Sequence, residues 1–258
     1  MKVNFKMHIS FPGMITFLSD FGDRDWFVAA VKGEILKINK KVLIVDITHR
    51  LVPYDINSAA FVLKSVYRNF PAGTIHLVVI DPGVGSERKP IIVESTGYYF
   101  VGPDNGVFSY IYNKDSRVYK INQKKRLSST FHARDIFGPS AARLSKGLSP
   151  EVLGINRKDY VKFEFPKIKK IKSGIQGEVI YIDHFGNLIT NIPNSTDVKE
   201  LYILKRKVLV KRFYGEGKMD EIIAIKGSCG FYEIASNKSN VKAISSIKIG
   251  MKIIARCS

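Results

Sequence analysis

The sequence lacks most of the features that assign a chain to a membrane, a disulfide framework or a metal site. Its 258 residues contain no run of about 18 apolar residues, so no membrane-spanning helix is predicted. The two cysteines, Cys229 and Cys257, are predicted to stay reduced, because disulfides are rare in the cytosol. No pair among the five histidines has the spacing of metal ligands, so no metal site is predicted. Residues 1–22 lack the apolar core and cleavage site of a secretory leader, and we expect a cytoplasmic protein.

Acidic residues are also few compared with basic ones. The chain has 41 lysines and arginines against 23 aspartates and glutamates, a net charge of +18. Clustered positive charge favours a polyanionic partner such as a nucleic acid, because binding releases phosphate counterions. The basic residues fall in separate short runs, 114–126, 157–172 and 205–212, without the aromatic or glycine pattern of an RNA-binding motif. Lysine-rich solvated faces are therefore the favoured interpretation, and a nucleic-acid partner is the alternative.

The first part of the chain alternates continuous apolar runs with apolar residues at helical spacing. This alternation predicts βαβ units, and hence an α/β domain with a largely parallel sheet over residues 1–160. Ligands bind such sheets at the carboxyl ends of the strands. The predicted strands are 14–18, 42–47, 74–80, 91–94 and 98–101, the predicted helices are 26–38, 55–66 and 138–146, and the acids at strand ends are Asp20, Asp46, Asp81 and Asp104.

The composition changes after residue 160. Residues 161–173 are rich in lysine and contain a proline, which is typical of a linker. Short β-rich segments separated by turns follow over residues 174–258, and their spacing predicts a small antiparallel barrel or sandwich. The predicted strands of this second, all-β domain are 177–182, 201–210, 221–225, 230–235 and 251–255.

Two loops of the first domain carry side chains suited to chemistry. Asp20 follows the first strand and is well placed to accept hydrogen bonds from both hydroxyls of a ribose; the alternative is that it caps the next helix. Asp81 begins a tight loop that contains Pro82 and two glycines. Arg88 can fold back onto the Asp81 carboxylate and keep it ionised. The alternative for this pair is a turn with a surface salt bridge, worth ~0–1 kcal/mol.

Histidines and one asparagine are further candidates. A lone histidine near aromatic residues, such as His132, is more often structural than catalytic, and His49 and His184 are interpreted in the same way. His76 lies inside an apolar strand and is predicted to belong to the core. Asn187 follows a glycine and is able to present its amide to the edge of an adenine; a hairpin turn between two strands explains the same residues equally well.

Taken together and in order, these segments resemble the S-adenosylmethionine hydroxide adenosyltransferases, which are related to the bacterial fluorinase and chlorinase. The resemblance runs from about Ile15 to Ala255, and so many ordered motifs rarely coincide by chance. The matching segments are TFLSDFG at 16–22, VDITH at 45–49, DPGVGSER at 81–88, GPDNG at 102–106, TFHARDIFGP at 130–139, YIDHFGNLITNI at 181–192 and GSCGFYEIASN at 227–237.

The resemblance implies an α/β N-terminal domain, a smaller C-terminal β-barrel, and a homotrimer with its sites between subunits. It also implies hydrolysis of S-adenosylmethionine, the substrate, to adenosine and L-methionine without a cofactor. The hydroxide-using members have an Asp–Arg–His set that falls on Asp81, Arg88 and His132. The other residues matched to substrate binding are Asp20 for the ribose diol, Asp183 and Asn187 for the methionine and adenine ends, and Ser228, Glu233 and Ser236 in a segment that closes over the nucleoside.

The residue at position 81 separates the hydroxide-using members from the halogenases, which have an uncharged residue there. A carboxylate in the halide position repels chloride by ~4 kcal/mol at 4 Å under an effective dielectric of 20. Ala133 stands where the fluorinase has a serine and where we expect glycine in this family, and Cys229 stands where the fluorinase has an arginine-containing loop. The alternatives are a halide-using adenosyltransferase and a non-catalytic protein that binds adenosine or nucleic acid.

Overall fold

The computed structural model describes residues 13–123, 128–238, 240–241 and 247–257, and these residues form two compact units. The first unit ends at Glu164 and the second begins at Phe165. Each unit has its own sheet and its own hydrophobic core. The segment 161–173, predicted as a linker, contains the last residues of the first unit and one short strand of the second.

The first unit contains a seven-stranded sheet with the order β2-β1-β3-β5-β4-β6-β7. The strands β2, β1, β3 and β5 run parallel, whereas β4, β6 and β7 join through antiparallel pairings. The predicted α/β domain with a largely parallel sheet is confirmed. The strands are β1 (Met14–Ser19), β2 (Leu43–Thr48), β3 (Ile75–Val79), β4 (Pro90–Ser95), β5 (Tyr98–Pro103), β6 (Arg117–Ile121) and β7 (Gly154–Arg157).

Helices cover both faces of this sheet. Along β1, Ile15 and Phe17 pack in one core cluster with residues of the first and third helices, whereas Leu18 belongs to a second cluster with residues of the second helix. Both faces of β1 are therefore buried, which explains its uninterrupted apolar run. The helices are α1 (Phe27–Ile38), α2 (Ile56–Val66), α3 (Gly138–Ser145) and the short α4 (Pro150–Leu153).

The second strand differs from its predicted environment. The run 42–47 has the apolar pattern of a buried strand, but Leu43 is 49% exposed. The reason is its place in the sheet, because β2 comes first in the strand order and pairs only with β1 among the described residues. An apolar run shows that the side chains are hydrophobic, but it does not show how many strands lie beside the segment.

The helix that follows β2 has the predicted N-terminus. Asp55 is the N-cap residue of α2, and its Oδ1 accepts a hydrogen bond of 2.9 Å from the backbone N–H of Ser58. The Ser58 hydroxyl donates to the second carboxylate oxygen at 2.6 Å. Ser58 thus donates both bonds to Asp55, and the backbone bond satisfies a donor that the helix itself cannot pair.

The sheet of the second unit closes into a β-barrel of seven strands. The strand order is β10-β14-β13-β12-β11-β15-β9, and β10 also pairs with β9, so the ring has no open edge. The short strand β8 pairs with β9 outside the ring. The structure thus confirms a barrel rather than a sandwich. The strands are β8 (Lys169–Ile171), β9 (Gly174–Ile182), β10 (Leu188–Pro193), β11 (Val198–Ile203), β12 (Arg206–Val210), β13 (Ile222–Lys226), β14 (Phe231–Ser236) and β15 (Lys252–Cys257).

One predicted strand of the barrel is wrong. The segment 201–210 is not a single strand, because β11 and β12 form a hairpin in which Ile203 pairs with Arg206. The two loop residues, Leu204 and Lys205, have φ values of 51° and 62°. Positive φ at both positions is the backbone of a type I′ turn, which normally carries Asn-Gly. Leu-Lys gives no turn signal, so the sequence pattern hides the reversal.

This hairpin turn generates a stability prediction. Replacing Leu204 by Asn and Lys205 by Gly is expected to raise the free energy of unfolding by about 1 kcal/mol, because both residues then fit the left-handed backbone. Urea unfolding of the single and double variants measures the change. Lys226→Gly, at an exposed position of β13 outside the left-handed region, is the control and is expected to destabilise. Equal effects at both sites would contradict the turn interpretation.

Candidate active site

The candidate site of the first unit lies where β1 and β3 end. Asp20 follows the last residue of β1, and Asp81 lies two residues beyond the end of β3. Adjacent parallel strands bring their carboxyl ends to one edge of the sheet, so both carboxylates line one pocket of about 330 Å³. The other lining residues are Phe21, Phe27, Pro53, Tyr54, Val79, Val84, Thr130, Phe131, His132 and Ala133.

Asp20 does not cap the helix that follows it. The helix α1 begins at Phe27 with Trp26 as its N-cap residue, several residues beyond Asp20. Instead, Oδ2 of Asp20 accepts a hydrogen bond of 2.8 Å from the backbone N–H of Tyr54. Among the hydrogen bonds of the described residues, none involves Oδ1. One carboxylate oxygen is therefore held while the carboxylate lines the pocket.

Asp81 and Arg88 form a buried ion pair rather than a surface salt bridge. Only 6% of each side chain is exposed. Arg88 Nε donates to Asp81 Oδ1 at 3.0 Å, and Nη2 donates to Oδ2, so the contact is bidentate. The connecting loop needs Gly85, whose φ is +79° and where a Cβ would lie 2.3 Å from the carbonyl oxygen of Ser129. Gly85 thus allows the loop to fold Arg88 back onto Asp81.

His132 joins this pair from a distant part of the chain. Its Nδ1 lies 3.0 Å from Nη2 of Arg88, and 9% of the residue is exposed. The residue directly precedes a π-helical segment, Ala133–Phe137. The guanidinium of Arg88 also lies over the ring of Phe137, with its carbon 5.2 Å from the ring centroid. Asp81, Arg88 and His132 form one cluster, which is the arrangement that the family resemblance implies.

The electrostatics of this cluster set its protonation state. Burial raises the pKa of Asp81, while the charge and hydrogen bonds of Arg88 oppose that rise. Burial and the positive charge of Arg88 lower the pKa of His132 below 6.5, and Asp81 opposes this shift. Because a guanidinium has no acceptor atom, Nδ1 of His132 must accept the hydrogen bond from Arg88. A neutral His132 ring therefore carries its proton on Nε2.

The second unit has a pocket of its own, of about 470 Å³. Asp183 and Asn187 lie in the hairpin between β9 and β10. Asp183 accepts hydrogen bonds from the backbone N–H of Asn187 at 2.8 Å and from its side-chain Nδ2 at 2.9 Å. The hairpin interpretation of this motif is therefore correct, and Asn187 nevertheless lines the pocket. The other lining residues are Phe185, Tyr214, Ser236, Lys238 and Asn240.

The three residues predicted from the segment 227–237 have different environments. Glu233 is buried, accepts a hydrogen bond from the hydroxyl of Tyr214, and has its pKa raised by burial. Ser236 lines the pocket, and its buried Oγ has no hydrogen-bond partner among the described residues. Ser228 is exposed on a turn and does not line this pocket. Glu233 and Ser236 are thus near the candidate binding surface, whereas Ser228 is not brought to it.

Several lining residues were not predicted from the sequence. Phe21, Phe27 and Phe131 form a cluster beside the first pocket, with ring centroids 5.3 to 6.2 Å apart. Tyr214 has a pattern that indicates only a turn, yet its hydroxyl contacts Glu233. The one available signal was the position of Phe21 and Phe131 within the matching motifs, and Phe27 had no such signal.

The remaining histidine and cysteine predictions concern groups outside these pockets. His76 is fully buried in β3, and burial lowers its pKa to about 3, as expected for a core histidine. Cys229 and Cys257 are both free thiols. Among the described residues, no group of three or more histidines, cysteines, aspartates and glutamates is arranged to hold a metal ion. Within the same part of the chain, no helix is long and apolar enough to cross a membrane.

Comparison with known proteins agrees with this geometry. The profile of the SAM hydroxide adenosyltransferase N-terminal domain matches residues 15–154, and the profile of the corresponding C-terminal domain matches residues 177–254. This chain belongs to the SAM hydroxide adenosyltransferase family. The two matches cover most of the chain and correspond to the α/β unit and the barrel unit.

Individual relatives of this adenosyltransferase-family chain carry two kinds of name. It is 36% identical to an (R)-S-adenosyl-L-methionine hydrolase of Methanocaldococcus jannaschii, over 91% of this chain and 92% of the relative. A fluorinase of Actinoplanes sp. is 25% identical, over 93% of this chain and 96% of that protein. An uncharacterized conserved protein from Thermotoga maritima has a crystal structure that matches with a TM-score of 0.86 at 34% identity, covering 95% of this chain and all of the other.

The burial of the ion pair generates a second stability prediction. Arg88→Met leaves the Asp81 carboxylate buried without its partner, and we expect the free energy of unfolding at pH 7 to fall by about 3 kcal/mol. Adding Asp81→Asn removes the unpaired charge and is expected to recover much of this loss. Chemical denaturation of the two variants measures both changes.

The control for this prediction is the exposed pair Arg50 and Asp23, whose side chains are 76% and 56% exposed. Arg50→Met is expected to change stability little, because water screens an exposed pair. If Arg88→Met and Arg50→Met have the same small effect, the Asp81–Arg88 pair is not desolvated in solution.

Proposed function

We propose that this chain hydrolyses S-adenosyl-L-methionine to adenosine and L-methionine, with water attacking the ribose C5′. The observation that carries the proposal is the buried cluster of Asp81, Arg88 and His132 at the pocket that Asp20 also lines. Relatives at 36% and 32% identity, from Methanocaldococcus jannaschii and Thermus thermophilus, are named (R)-S-adenosyl-L-methionine hydrolases. Their names support both the substrate and the reaction, and we extend the preference for the (R) sulfonium epimer to this chain.

The proposed binding roles follow from the two pockets. Asp20 accepts hydrogen bonds from the ribose diol, because its carboxylate lines the first pocket and only Oδ2 is held by Tyr54. Apolar and aromatic groups around it bind the ribose and adenine faces. In the second unit, the Asp183–Asn187 hairpin and Ser236 contact the methionine and adenine ends, since Asn187 lines the pocket and the buried hydroxyl of Ser236 has no partner within the described part of the chain. We retain Glu233 and Ser228 as weaker proposals of the same kind.

The proposed nucleophile is a water molecule held by Asp81 and His132. Asp81 accepts one hydrogen bond from that water, because a carboxylate already bound to Arg88 still has free lone pairs. His132 offers the Nε2–H donor that its contact with Arg88 imposes, so it orients the water rather than taking its proton. Asp81 is therefore the proton acceptor, and burial raises its pKa in the direction that a base requires.

The bond changes need no further chemical group. The water oxygen forms a bond to C5′, the C5′–S bond breaks with its electron pair going to sulfur, and the water proton passes to Asp81. Methionine leaves as a neutral thioether, so no acid is needed at sulfur. Holding the water in line with the breaking bond supplies much of the rate gain. The proposed reaction therefore uses neither a metal nor an organic cofactor.

Halide chemistry is not favoured at this site. The Asp81 carboxylate lines the pocket, and Nε and Nη2 of Arg88 both donate to it. The fluorinases of Actinoplanes sp. and Nocardia brasiliensis are 25% and 24% identical, below the hydrolases. A purely adenosine-binding or nucleic-acid-binding protein would leave the buried ion pair and His132 without a role, and its main support is the net charge of +18.

Asp81→Asn is the variant that tests the proposed reaction. It keeps the size of the side chain and removes the proton acceptor, so we expect turnover to fall by about 10³-fold while adenosine binding is kept. Each sulfonium epimer is incubated separately in ¹⁸O-labelled water, with and without chloride, and the products are examined by mass spectrometry. The wild-type chain is expected to release adenosine labelled at the 5′ oxygen.

Two results would contradict this reaction. A 5′-chloro product from the wild-type chain would make it a halide-using adenosyltransferase. Adenosine binding without turnover of either epimer would favour the binding-protein alternative. Asp115→Asn, which makes the same change at an exposed aspartate outside both pockets, is the matched control and is expected to retain turnover.

We also propose that the chain is a cytoplasmic homotrimer in which each site is completed by a neighbouring subunit. The support is that candidate binding residues occur in two separate pockets, one in each unit of the chain. The family resemblance implies the same arrangement. A trimer has three times the mass of the 29.1 kDa chain, which light scattering measures directly.

Mixing inactive variants tests the shared site. Asp81→Asn and Asn187→Ala each carry one lesion, in the first and second unit respectively. If sites combine two subunits, co-refolded mixed trimers contain some sites free of both lesions, and activity is partly recovered. If each subunit forms its own site, mixing recovers nothing. Mixing Asp81→Asn with Arg88→Met is the control and is expected to recover nothing in either case.

A further inference from the structure

Next to Asp20 in the first unit, three polar side chains contact one another in series. The Ser19 hydroxyl is 2.7 Å from Nδ1 of His49, and Nε2 of His49 is 3.1 Å from Oδ1 of Asp46. Lys32 Nζ contacts the other oxygen of Asp46 at 2.5 Å. We call Ser19, His49 and Asp46 the His49 relay. It crosses from the fully buried end of β1 to the partly exposed end of β2.

The hydrogen bonds of the relay have one consistent direction. The Asp46 carboxylate lies 3.1 Å from Nε2 of His49 and favours a proton on that nitrogen, so Nδ1 of a neutral ring accepts from the Ser19 hydroxyl. The Ser19 oxygen is then free to accept the backbone N–H of Phe21, at 3.4 Å. Phe17 packs edge-on against the His49 ring, with centroids 4.7 Å apart, and so restricts the ring orientation. Nδ1 of His49 thus has a hydrogen bond, whereas Nε2 has an electrostatic contact with Asp46 and no hydrogen bond among the described residues.

The relay holds the turn that carries Asp20 at both ends. Ser19 directly precedes Asp20, and its hydroxyl is fixed by His49. On the other side of Asp20, the backbone N–H of Gly22 donates to the carbonyl oxygen of His49 at 2.7 Å. Gly22 has a φ of +71°, so the turn reverses sharply at this point. His49 thus contacts the turn once through its ring and once through its backbone.

We propose that His49 is a positioning residue that orients the Asp20 carboxylate toward the ribose diol. The inference rests on the proposed function, since it takes Asp20 as the group that binds the diol. A carboxylate recognises two adjacent hydroxyls only when its plane and distance are fixed, and supporting hydrogen bonds supply that precision. The backbone N–H of Tyr54 fixes one oxygen of the Asp20 carboxylate, and the contacts of His49 fix the turn that carries Asp20.

The charges around His49 agree with this role. Burial lowers the pKa of His49, with Lys32 acting in the same direction, while Asp46 and Asp23 oppose the shift. The ring is therefore neutral at physiological pH, as the direction of the relay requires. Asp46 and Lys32 are partly exposed, so this end of the relay contacts solvent rather than the pocket.

The same strand offers a matched control. Thr16 Oγ1 is 2.7 Å from Nδ1 of His76, a second buried pair in which a hydroxyl of β1 contacts a histidine, here on β3. This pair lies in the body of the strand, and neither residue lines the pocket. A purely structural role of such pairs predicts similar effects on ligand binding for both histidines, whereas a positioning role predicts an effect only for His49.

The test measures the dissociation constants of adenosine and of 2′,3′-dideoxyadenosine by calorimetry, using the full chain. His49→Leu removes both ring contacts, and we expect adenosine to bind about 10-fold more weakly, as when an outer partner of a binding group is lost. Binding of the dideoxy ligand is expected to change by less than about twofold, because it has no diol for Asp20 to contact. His49→Asn keeps an acceptor near the Nδ1 position and is expected to restore most of the adenosine affinity.

Two further variants separate positioning from general loosening of the fold. Asp46→Ala changes a side chain that is 38% exposed, so it leaves the core intact and is expected to weaken adenosine binding about threefold. His76→Leu is expected to lower stability and to leave the adenosine-to-dideoxyadenosine ratio unchanged.

The outcomes distinguish the inference from the proposed function. If the wild-type chain prefers adenosine and His49→Leu keeps that preference, the inference is overturned alone. It is also overturned if His49→Leu weakens both ligands equally or if His76→Leu has the same effect. If the wild-type chain binds both ligands equally, the diol role of Asp20 fails and the inference fails with it, while hydrolysis in ¹⁸O water remains a separate result.

Discussion

The bidentate contact between Asp81 and Arg88 is the interaction on which the candidate site depends. A carboxylate with 6% exposure is costly to bury unless a cation and good hydrogen bonds accompany it, and Arg88 supplies both. The same guanidinium donates to His132 and thereby determines which ring nitrogen carries a proton. One arginine thus sets the charge of Asp81, which is the proposed base, the tautomer of the histidine and the shape of the loop between residues 81 and 88.

The sheet topology brings this cluster together with Asp20, the proposed ribose-binding group. The strands β1 and β3 are neighbours and run parallel, so their carboxyl ends place Asp20 and Asp81 around one pocket. The two carboxylates have different hydrogen-bond partners. Asp20 is held by a backbone N–H and, through its turn, by the His49 relay, whereas Asp81 is held by a buried cation. Two similar side chains at one sheet edge therefore have different chemical environments, which agrees with the different roles proposed for them.

Much of this architecture was predictable because apolar runs and helical spacing report strands and helices directly. The order of elements through β5, the cap at Asp55 and the core position of His76 all follow from such local patterns. The hairpin at Leu204 and Lys205 was missed because its backbone is set by the barrel and not by turn residues. The exposure of Leu43 was missed because a sequence pattern does not count neighbouring strands.

The sequence by itself determined the two-part fold and the candidate residues, because motif chemistry and side-chain periodicity are local properties. Only the tertiary structure decided that Asp81 and Arg88 are buried, that His132 accepts from Arg88 across 44 positions of chain, and that Asp20 is not a helix cap. The tertiary structure also places Ser19 and Asp46 in contact with His49, which the sequence pattern does not indicate. Burial and hydrogen-bond direction depend on which distant segments pack together, and that information enters only when the sheet is assembled.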